Sequence, residues 1–155
     1  MNPYRVYVDT SVIGGCFDPE FEADSMRLFE LAKQGKRIIL VSDVVFQELM
    51  DAPVHVRKVL DDLPSKAVER LSLRENVFEL RDAYIRAEVV SVRWRDDAAH
   101  VAAATVARAD AIVSWNFKHI VRLDRIKLYN AVNLANGYGF ITILTPREVI
   151  DESTD

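Results

Sequence analysis

Three acidic residues from distant parts of the chain are the first candidates for chemistry. Asp9 follows a β-rich apolar run, Glu48 lies within the apolar segment VVFQEL, and Asp97 begins the alanine-rich segment DAAHVAAA. Carboxylate oxygens are hard ligands that suit Mg²⁺ or Mn²⁺ and leave coordination positions for water and phosphate. If the three side chains converge, they form a divalent metal site suited to phosphate chemistry.

Each of these residues also has a structural interpretation when it is considered alone. Asp9 is a suitable N-cap for a following helix, and Glu48 could form a salt bridge at the edge of the core. Asp97 could interact with the positive end of a helix dipole. A functional site therefore depends on the convergence of all three, which no single residue establishes.

A fourth candidate, Asn116, lies in the segment SWNFKHI after a predicted buried strand. Its amide oxygen could bind a metal or orient a bound water, and its structural alternative is a turn asparagine. Thr10 and Ser114 are expected to support the metal ligands through hydrogen bonds. His100 is interpreted as a packed or hydrogen-bonded histidine at the core edge, because an all-oxygen site needs no imidazole.

The spacing of apolar residues predicts the elements that must position these side chains. Strands are predicted for β-rich or continuous apolar runs, namely 4–9, 36–42, 110–115 and 139–144. Helices are predicted where the spacing is helical, namely 20–34, 42–50, two or three pieces within 55–92, 95–107 and 125–136. Gly14 and Gly15 indicate a turn, and Thr145, Pro146 and Glu148 predict a capping box at the start of a last helix.

The alternation of strands and helices predicts a three-layer α/β/α fold with a mostly parallel central sheet. Sites in such sheets lie beyond the carboxyl ends of the strands, at a topological switch point. Asp9 follows the first predicted strand and Asn116 follows the third, so both are expected at that edge.

Length and composition predict one domain over residues 1–150 and a short polar tail at 151–155. Half of the 155 residues are apolar, which is enough for a core without disulfides. The single cysteine, Cys16, favours a reducing cytoplasm, and no run approaches the roughly 20 apolar residues of a membrane span. The net charge of −4 argues against nonspecific coating of nucleic acid, but not against a nuclease, since a bound metal can face the phosphate.

Four blocks of the sequence resemble the PIN-domain ribonucleases, and among them the VapC-type toxins of bacterial toxin–antitoxin pairs. The blocks are VYVDTSV around Asp9, VSDVVFQEL around Glu48, DDAAHVAAATVARADAIVSWNFKHI from Asp96 to Ile120, and ITILTPREVI near the end. The resemblance spans nearly the whole chain, and the third block is its most specific part.

The resemblance implies a Mg²⁺- or Mn²⁺-dependent endoribonuclease in which Asp9, Glu48 and Asp97 match the three acidic positions of the family. It also implies frequent homodimers and inhibition by a cognate antitoxin. Many members carry a fourth aspartate where this chain has Asn116, and the loss of one charge could favour one bound ion over two. The stretch 51–73 is longer than a minimal toxin needs.

Basic residues flank the predicted site and could contact the RNA backbone. They are Arg93, Arg95, Lys118, Arg122 and Arg125. Their structural alternative is a solvated charged face.

Three other functions stay open. One is a noncatalytic RNA- or protein-binding module whose metal site is weakened by Asn116, and another is a nuclease that acts on DNA. The third is a phosphatase that forms an aspartyl-phosphate. The phosphatase is disfavoured, because such an enzyme usually needs a second aspartate two residues after the first, and here that position is Ser11.

Overall fold

The computed structural model describes residues 2–151. Its strands form one sheet in the order β3-β2-β1-β4-β5, and every neighbouring pair is parallel. The strands are β1 (Tyr4–Val8), β2 (Arg37–Ser42), β3 (Val68–Leu71), β4 (Ala111–Val113) and β5 (Ile143–Leu144). The helices are α1 (Thr10–Gly15), α2 (Glu22–Lys33), α3 (Asp43–Leu49), α4 (Val54–Asp61), α5 (Glu75–Arg86), α6 (Arg95–Val106), α7 (Leu123–Ala135) and α8 (Pro146–Val149), with short 3₁₀ turns at Ser65–Ala67 and Val92–Trp94.

Helices cover both faces of the sheet, because successive side chains of a strand point to opposite sides. Tyr7 and Leu40 contribute to a buried cluster with α5, α6 and α7. Val6 and Ile39 contribute to a second cluster with α1, α2, α3 and α4. This arrangement confirms the predicted three-layer α/β/α fold, and the sheet of the described residues is wholly parallel.

The topology places a switch point beside the central strand. From β1 the chain adds β2 and β3 on one side, and it then returns to add β4 and β5 on the other. The loops that follow β1 and β4 consequently diverge and leave a crevice at the carboxyl edge of the sheet. Asp9 directly follows β1 and Ser114 directly follows β4, so the predicted site residues meet at this edge.

The prediction of helix across residues 68–71 was wrong, since they form the edge strand β3. This strand pairs with β2, with Val68 opposite Ile39 and Leu71 opposite Ser42. Its sequence VERL has only two apolar residues. Pairing with β2, rather than a local apolar run, therefore stabilises this strand.

The prediction of a turn at Gly14 and Gly15 was also wrong, because both residues belong to α1. Gly15 is needed there for close packing. A Cβ at this position would lie 2.6 Å from Ser25 Oγ of α2 and 2.8 Å from Trp115 Nε1. The glycine therefore allows α1 to approach both neighbours.

The end of the chain follows the prediction in part. The predicted strand over 139–144 is limited to Ile143–Leu144, whereas the capping box of Thr145 and Glu148 is present, with Pro146 as the first residue of α8. Of the polar tail at 151–155, only Asp151 lies within the described residues. Among residues 2–151, no helix has the length and apolar character needed to cross a bilayer.

Candidate active site

Asp9 occupies the N-cap position of α1 but does not cap it with its side chain. The carboxylate is only 4% exposed, and it accepts a hydrogen bond on each oxygen, from Ser11 Oγ and from Ser114 Oγ, both at 2.6 Å. Burial raises the pKa of Asp9, opposed by the charge of His100 and by the two hydroxyls. The structure thus disfavours the helix-capping interpretation and holds this carboxylate between β1 and β4.

Glu48 is held by a polar chain that runs through the core. Its Oε1 lies 2.6 Å from His100 Nε2 and accepts a hydrogen bond of 3.0 Å from Thr10 Oγ1. On its other side, His100 Nδ1 lies 2.7 Å from the hydroxyl of Tyr7, which in turn lies 2.7 Å from Ser42 Oγ. The imidazole is therefore fixed at both ring nitrogens and directs the position of the Glu48 carboxylate.

Glu48 and His100 each favour the charged form of the other. Burial is the largest single influence and alone would raise the pKa of Glu48 and lower that of His100. The contact between the two residues, together with Thr10 for Glu48 and with Asp9 and Asp97 for His100, outweighs burial in both cases. The net pKa of Glu48 is lowered and that of His100 is raised. Asp9 and Asp97 also raise the pKa of His100, so all three acids act on one buried imidazole.

Asp97 lies in the first turn of α6, one helical turn before His100. Burial raises its pKa to about 6, and the charges of Asp9 and Glu48 act in the same direction, against His100 and a hydrogen bond from Asn116. We call Asp9, Glu48 and Asp97 the acidic cluster. Within it, Asp97 is the carboxyl whose ionisation the two other acids oppose.

Asn116 supports this cluster from the loop after β4. Its Oδ1 accepts hydrogen bonds from the backbone N–H groups of Lys118 and His119, at 3.1 and 2.9 Å, while its side chain also bonds Asp97. The turn alternative considered for this residue is thus present in the structure. With its oxygen committed to the loop, Asn116 is better placed to position Asp97 than to ligate an ion.

Four residues that sequence reasoning did not assign to the site take part in it: Tyr7, Ser11, Ser42 and His100. A signal was available for His100, which is three residues after Asp97 and thus shares its helix face. Ser11 lies two residues after Asp9 and bonds both that carboxylate and the backbone N–H of Trp115, at 2.9 Å. For Tyr7 and Ser42, periodicity indicates burial but not the contact that joins them.

The donor chemistry of the acidic cluster fits a hard divalent cation. Asp9 and Glu48 oppose the ionisation of Asp97, and a bound cation would offset that repulsion. In their present positions, no three His, Cys, Asp or Glu side chains of residues 2–151 form a ready metal cage. The side chain of Glu48 is 34% exposed, which leaves it room to turn. The three acids therefore fit a divalent ion by residue type and charge, and a local rearrangement would bring their oxygens together around it.

A cleft of about 440 Å³ opens onto two members of the acidic cluster, Glu48 and Asp97. Its lining combines acidic, basic and aromatic side chains, namely Glu48, Arg93, Trp94, Asp96, Asp97, Asn116, Lys118 and His119. The pKa of His119 is lowered by partial burial and by the neighbouring cations Lys118, Arg125 and Arg122. The imidazole of His119 is therefore a neutral aromatic surface at neutral pH.

The basic residues singled out in the sequence occupy different environments. Arg93 and Lys118 line the cleft, and Arg95 is exposed at the start of α6. Arg122 pairs with Asp124 at 3.0 Å. The guanidinium of Arg125 donates to the carbonyl of Val89 at 2.8 Å, which gives it a structural contact between α7 and the loop after α5.

The fold and the site together define a parallel α/β protein with an acidic cluster at its topological switch point. A family model described as PIN domain matches residues 5–118, and the chain belongs to the PIN-domain family. Its fold is similar to a chain in the crystal structure of VapBC2 from Rickettsia felis bound to a DNA fragment from their promoter. The TM-score is 0.53, with 16% sequence identity over 74% of this chain and 89% of that chain. The comparison with curated proteins found no match.

Proposed function

We propose that this PIN-domain protein is a Mg²⁺- or Mn²⁺-dependent endoribonuclease. The observation that carries the proposal is the convergence of the acidic cluster at the carboxyl edge of the sheet. Glu48 contacts the buried imidazole of His100 at 2.6 Å, Asp97 lies one helical turn before His100, and all three carboxylates raise the pKa of His100. Carboxylates brought together at a switch point, beside an open cleft, suit a cation that faces a phosphate.

The chain's own residues hold and orient the acids. Asp9, Glu48 and Asp97 would bind the ion, which when bound supplies polarisation of the scissile phosphate and a lowered pKa of water. Ser11 and Ser114 fix both oxygens of Asp9. His100 and Thr10 hydrogen-bond Glu48, and Asn116 hydrogen-bonds Asp97. These partners keep each carboxylate near the others, so local rearrangement would be enough for all three to bind one ion.

The amide at position 116 limits the charge of the site. The acidic cluster supplies at most three negative charges, and His100 offsets part of them when it is protonated. This balance favours one tightly held ion over two. If the positive charge of His100 offsets so much of the negative charge that no metal binds, the protein is instead a noncatalytic RNA- or protein-binding module. An assay of RNA cleavage distinguishes the two functions.

The proposal is tested by cleavage of defined RNAs with Mn²⁺, with Mg²⁺ and with a chelator. The wild type should cleave only with a divalent ion, and Asp97→Asn should lose at least about a hundredfold in rate, since it removes one of three ligands. Asp61→Asn is the matched control, because Asp61 is exposed at the end of α4 and does not line the cleft. Equal cleavage by Asp97→Asn and the control, or cleavage in the chelator, would rule out the assignment. A DNA strand of the same sequence shows whether RNA is preferred.

We further propose that the protein is the toxin of a toxin–antitoxin pair, that it forms a homodimer and that it acts on RNA in the cytoplasm. The fold likeness to a chain of the VapBC2 complex supports the partner, and the unpaired buried Cys16 suits a reducing compartment. Expression should arrest growth of a host cell, and co-expression of the small protein encoded next to it should restore growth. Unimpaired growth with a fully active enzyme would contradict the toxin proposal.

A further inference from the structure

Two aromatic rings line the cleft beside the acids. Trp94 and His119 stack with their ring centroids 4.4 Å apart and their planes 26° from parallel. Both rings line the cleft that also contains Glu48 and Asp97. The stacked pair therefore lies beside the acidic cluster.

This pair does not belong to the protein core. Trp94 ends a 3₁₀ turn with no buried residue, and it is 37% exposed. Neither ring is part of the two buried clusters that flank the sheet. His119 is partly buried, and its Nε2 is a buried atom that makes no hydrogen bond with the described residues. A large aromatic surface kept at the mouth of a cleft is typical of a binding surface.

Positive charge accompanies the stack. The guanidinium carbon of Arg93 lies 5.0 Å from the centroid of the Trp94 ring, and Lys118 lines the same cleft. Aromatic faces with interleaved cations match the two parts of a nucleotide, its base and its phosphate. Glu48 and Asp97 line the same cleft, so a nucleotide bound here would be next to the proposed catalytic site.

We propose that Trp94 and His119 form a base-stacking subsite that accepts an unpaired nucleotide of the substrate, with Arg93 and Lys118 contacting its phosphate. This inference rests on the proposed ribonuclease function and assigns the residues that would bind an unpaired base beside the acids. In a duplex both faces of each base are covered by neighbouring bases, whereas in a single strand a base can leave the stack. The subsite thus selects single-stranded RNA.

Tryptophan fluorescence reports the stack directly, independently of cleavage. The probe is a short single-stranded oligoadenylate, titrated in Ca²⁺ with a check that the RNA stays intact. The chain has two tryptophans, and Trp115 already stacks on Phe21 at 4.3 Å and donates to Ser25. Binding should quench the wild type, and Trp94→Phe should lose most of this quenching.

Affinity provides the second measurement. Trp94→Ala should raise the Kd for the oligoadenylate about tenfold or more, the usual loss for one stacked base. Phe140→Ala is the matched control, because Phe140 is 74% exposed and precedes β5, at the opposite edge of the sheet. The same oligoadenylate annealed to oligouridylate should bind more weakly than the free strand. An unchanged Kd in Trp94→Ala, or equal affinity for strand and duplex, would overturn the inference. If Trp94→Ala fails to fold, Trp94→Phe decides: fluorescence quenching as large as in the wild type would overturn the inference.

Salt dependence separates the base contact from the phosphate contact. The double variant Arg93→Ala/Lys118→Ala should bind more weakly and flatten the dependence of the Kd on salt, whereas Trp94→Ala should leave that slope unchanged. Equal slopes in all three proteins would contradict the phosphate contacts.

The two proposals fail in different ways. A wild type that shows Trp94-dependent quenching but cleaves no RNA would contradict the ribonuclease and support the subsite. A wild type that cleaves RNA while Trp94→Ala binds and cleaves as well as the wild type would support the ribonuclease and contradict the subsite.

Discussion

At the scale of single residues, each acid of the cluster is hydrogen-bonded by polar side chains: hydroxyls for Asp9, a hydroxyl and an imidazole for Glu48, and an amide for Asp97. Asp9 bonds two serines, and Glu48 bonds a histidine and a threonine. Neutral donors fix a carboxylate without neutralising it, so its charge stays available to a cation. His100 is the exception, because its protonated form supplies positive charge to the cluster and makes its contact with Glu48 an ion pair.

The raised pKa of Asp97 predicts how its replacement changes stability. The carboxyl has an ordinary pKa of 3.8, raised to about 6 in the folded protein. Between pH 3.8 and about 6, the carboxyl of Asp97 is ionised in the unfolded chain but still protonated in the folded protein. The free energy of unfolding therefore falls as the pH rises through this range, and the loss stays constant above about pH 6. Asp97→Asn should therefore raise the free energy of unfolding at pH 7 by on the order of 1 kcal/mol, allowing for the partial exposure of Asp97.

This gain should shrink towards zero below pH 4, where the carboxyl is protonated in both states. Urea unfolding in a chelator, at several pH values, measures the difference between wild type and variant. A variant less stable than the wild type at pH 7 would contradict the assigned direction of the pKa shift.

The hydroxyl of Tyr7 bridges His100 and Ser42 inside the core. Tyr7→Phe should cost about 1–3 kcal/mol, because it leaves a buried imidazole nitrogen and a serine hydroxyl without this partner. Tyr4→Phe is the control, since Tyr4 is 59% exposed. Chemical denaturation of both variants provides the comparison, and equal losses would show that the polar chain adds no stability.

At the scale of elements, the sequence reveals the central strands and the long helices but not every short element. β1 and β2 are predictable because continuous apolar or β-rich runs mark strands that are buried on both faces. β3 is not predictable from its own residues, because its pairing with β2 stabilises it. The ends of β1 and β4 nevertheless place Asp9 and Asn116 correctly, since parallel topology brings strand ends together.

Side-chain contacts within the site are less accessible to sequence reasoning. Helical spacing puts His100 on the face of Asp97, but its contact with Glu48 depends on how α3 and α6 cross the same edge of the sheet. The partners of Ser11 and Ser114 likewise follow from the meeting of α1 with the loop after β4. These contacts join residues that are 52 and 103 positions apart in the chain, so no local pattern encodes them.

Two adjacent glycines of α1 provide a test at this scale. Gly15→Ala should destabilise the protein by about 1–3 kcal/mol, because its Cβ would overlap Ser25 Oγ and Trp115 Nε1. Gly14→Ala should stabilise it by about 0.5–1 kcal/mol, because that position has open space and alanine favours a helix. Thermal unfolding measures both. A destabilising Gly14→Ala together with a neutral Gly15→Ala would contradict the packing described for α1.

At the scale of the whole molecule, a protein of net charge −4 would have to bind the proposed RNA substrate through local features. The cleft is lined by two cations and two stacked rings. It is also lined by Glu48 and Asp97, whose charges a bound cation would offset before they face phosphate. Under the proposed function, a divalent metal would therefore determine both the charge of the site and its chemistry. The parallel sheet supplies the frame, because its switch point is where α1, α3, α6 and the loop after β4 converge.

Calorimetric titration with Mn²⁺ tests the central claim, that the three carboxylates form one cation site, most directly. The wild type should bind a single ion per chain, Asp97→Asn should lose about tenfold or more in affinity, and Asp61→Asn should bind like the wild type. Absence of Mn²⁺ binding by the wild type, or equal affinity in all three proteins, would contradict the site described here.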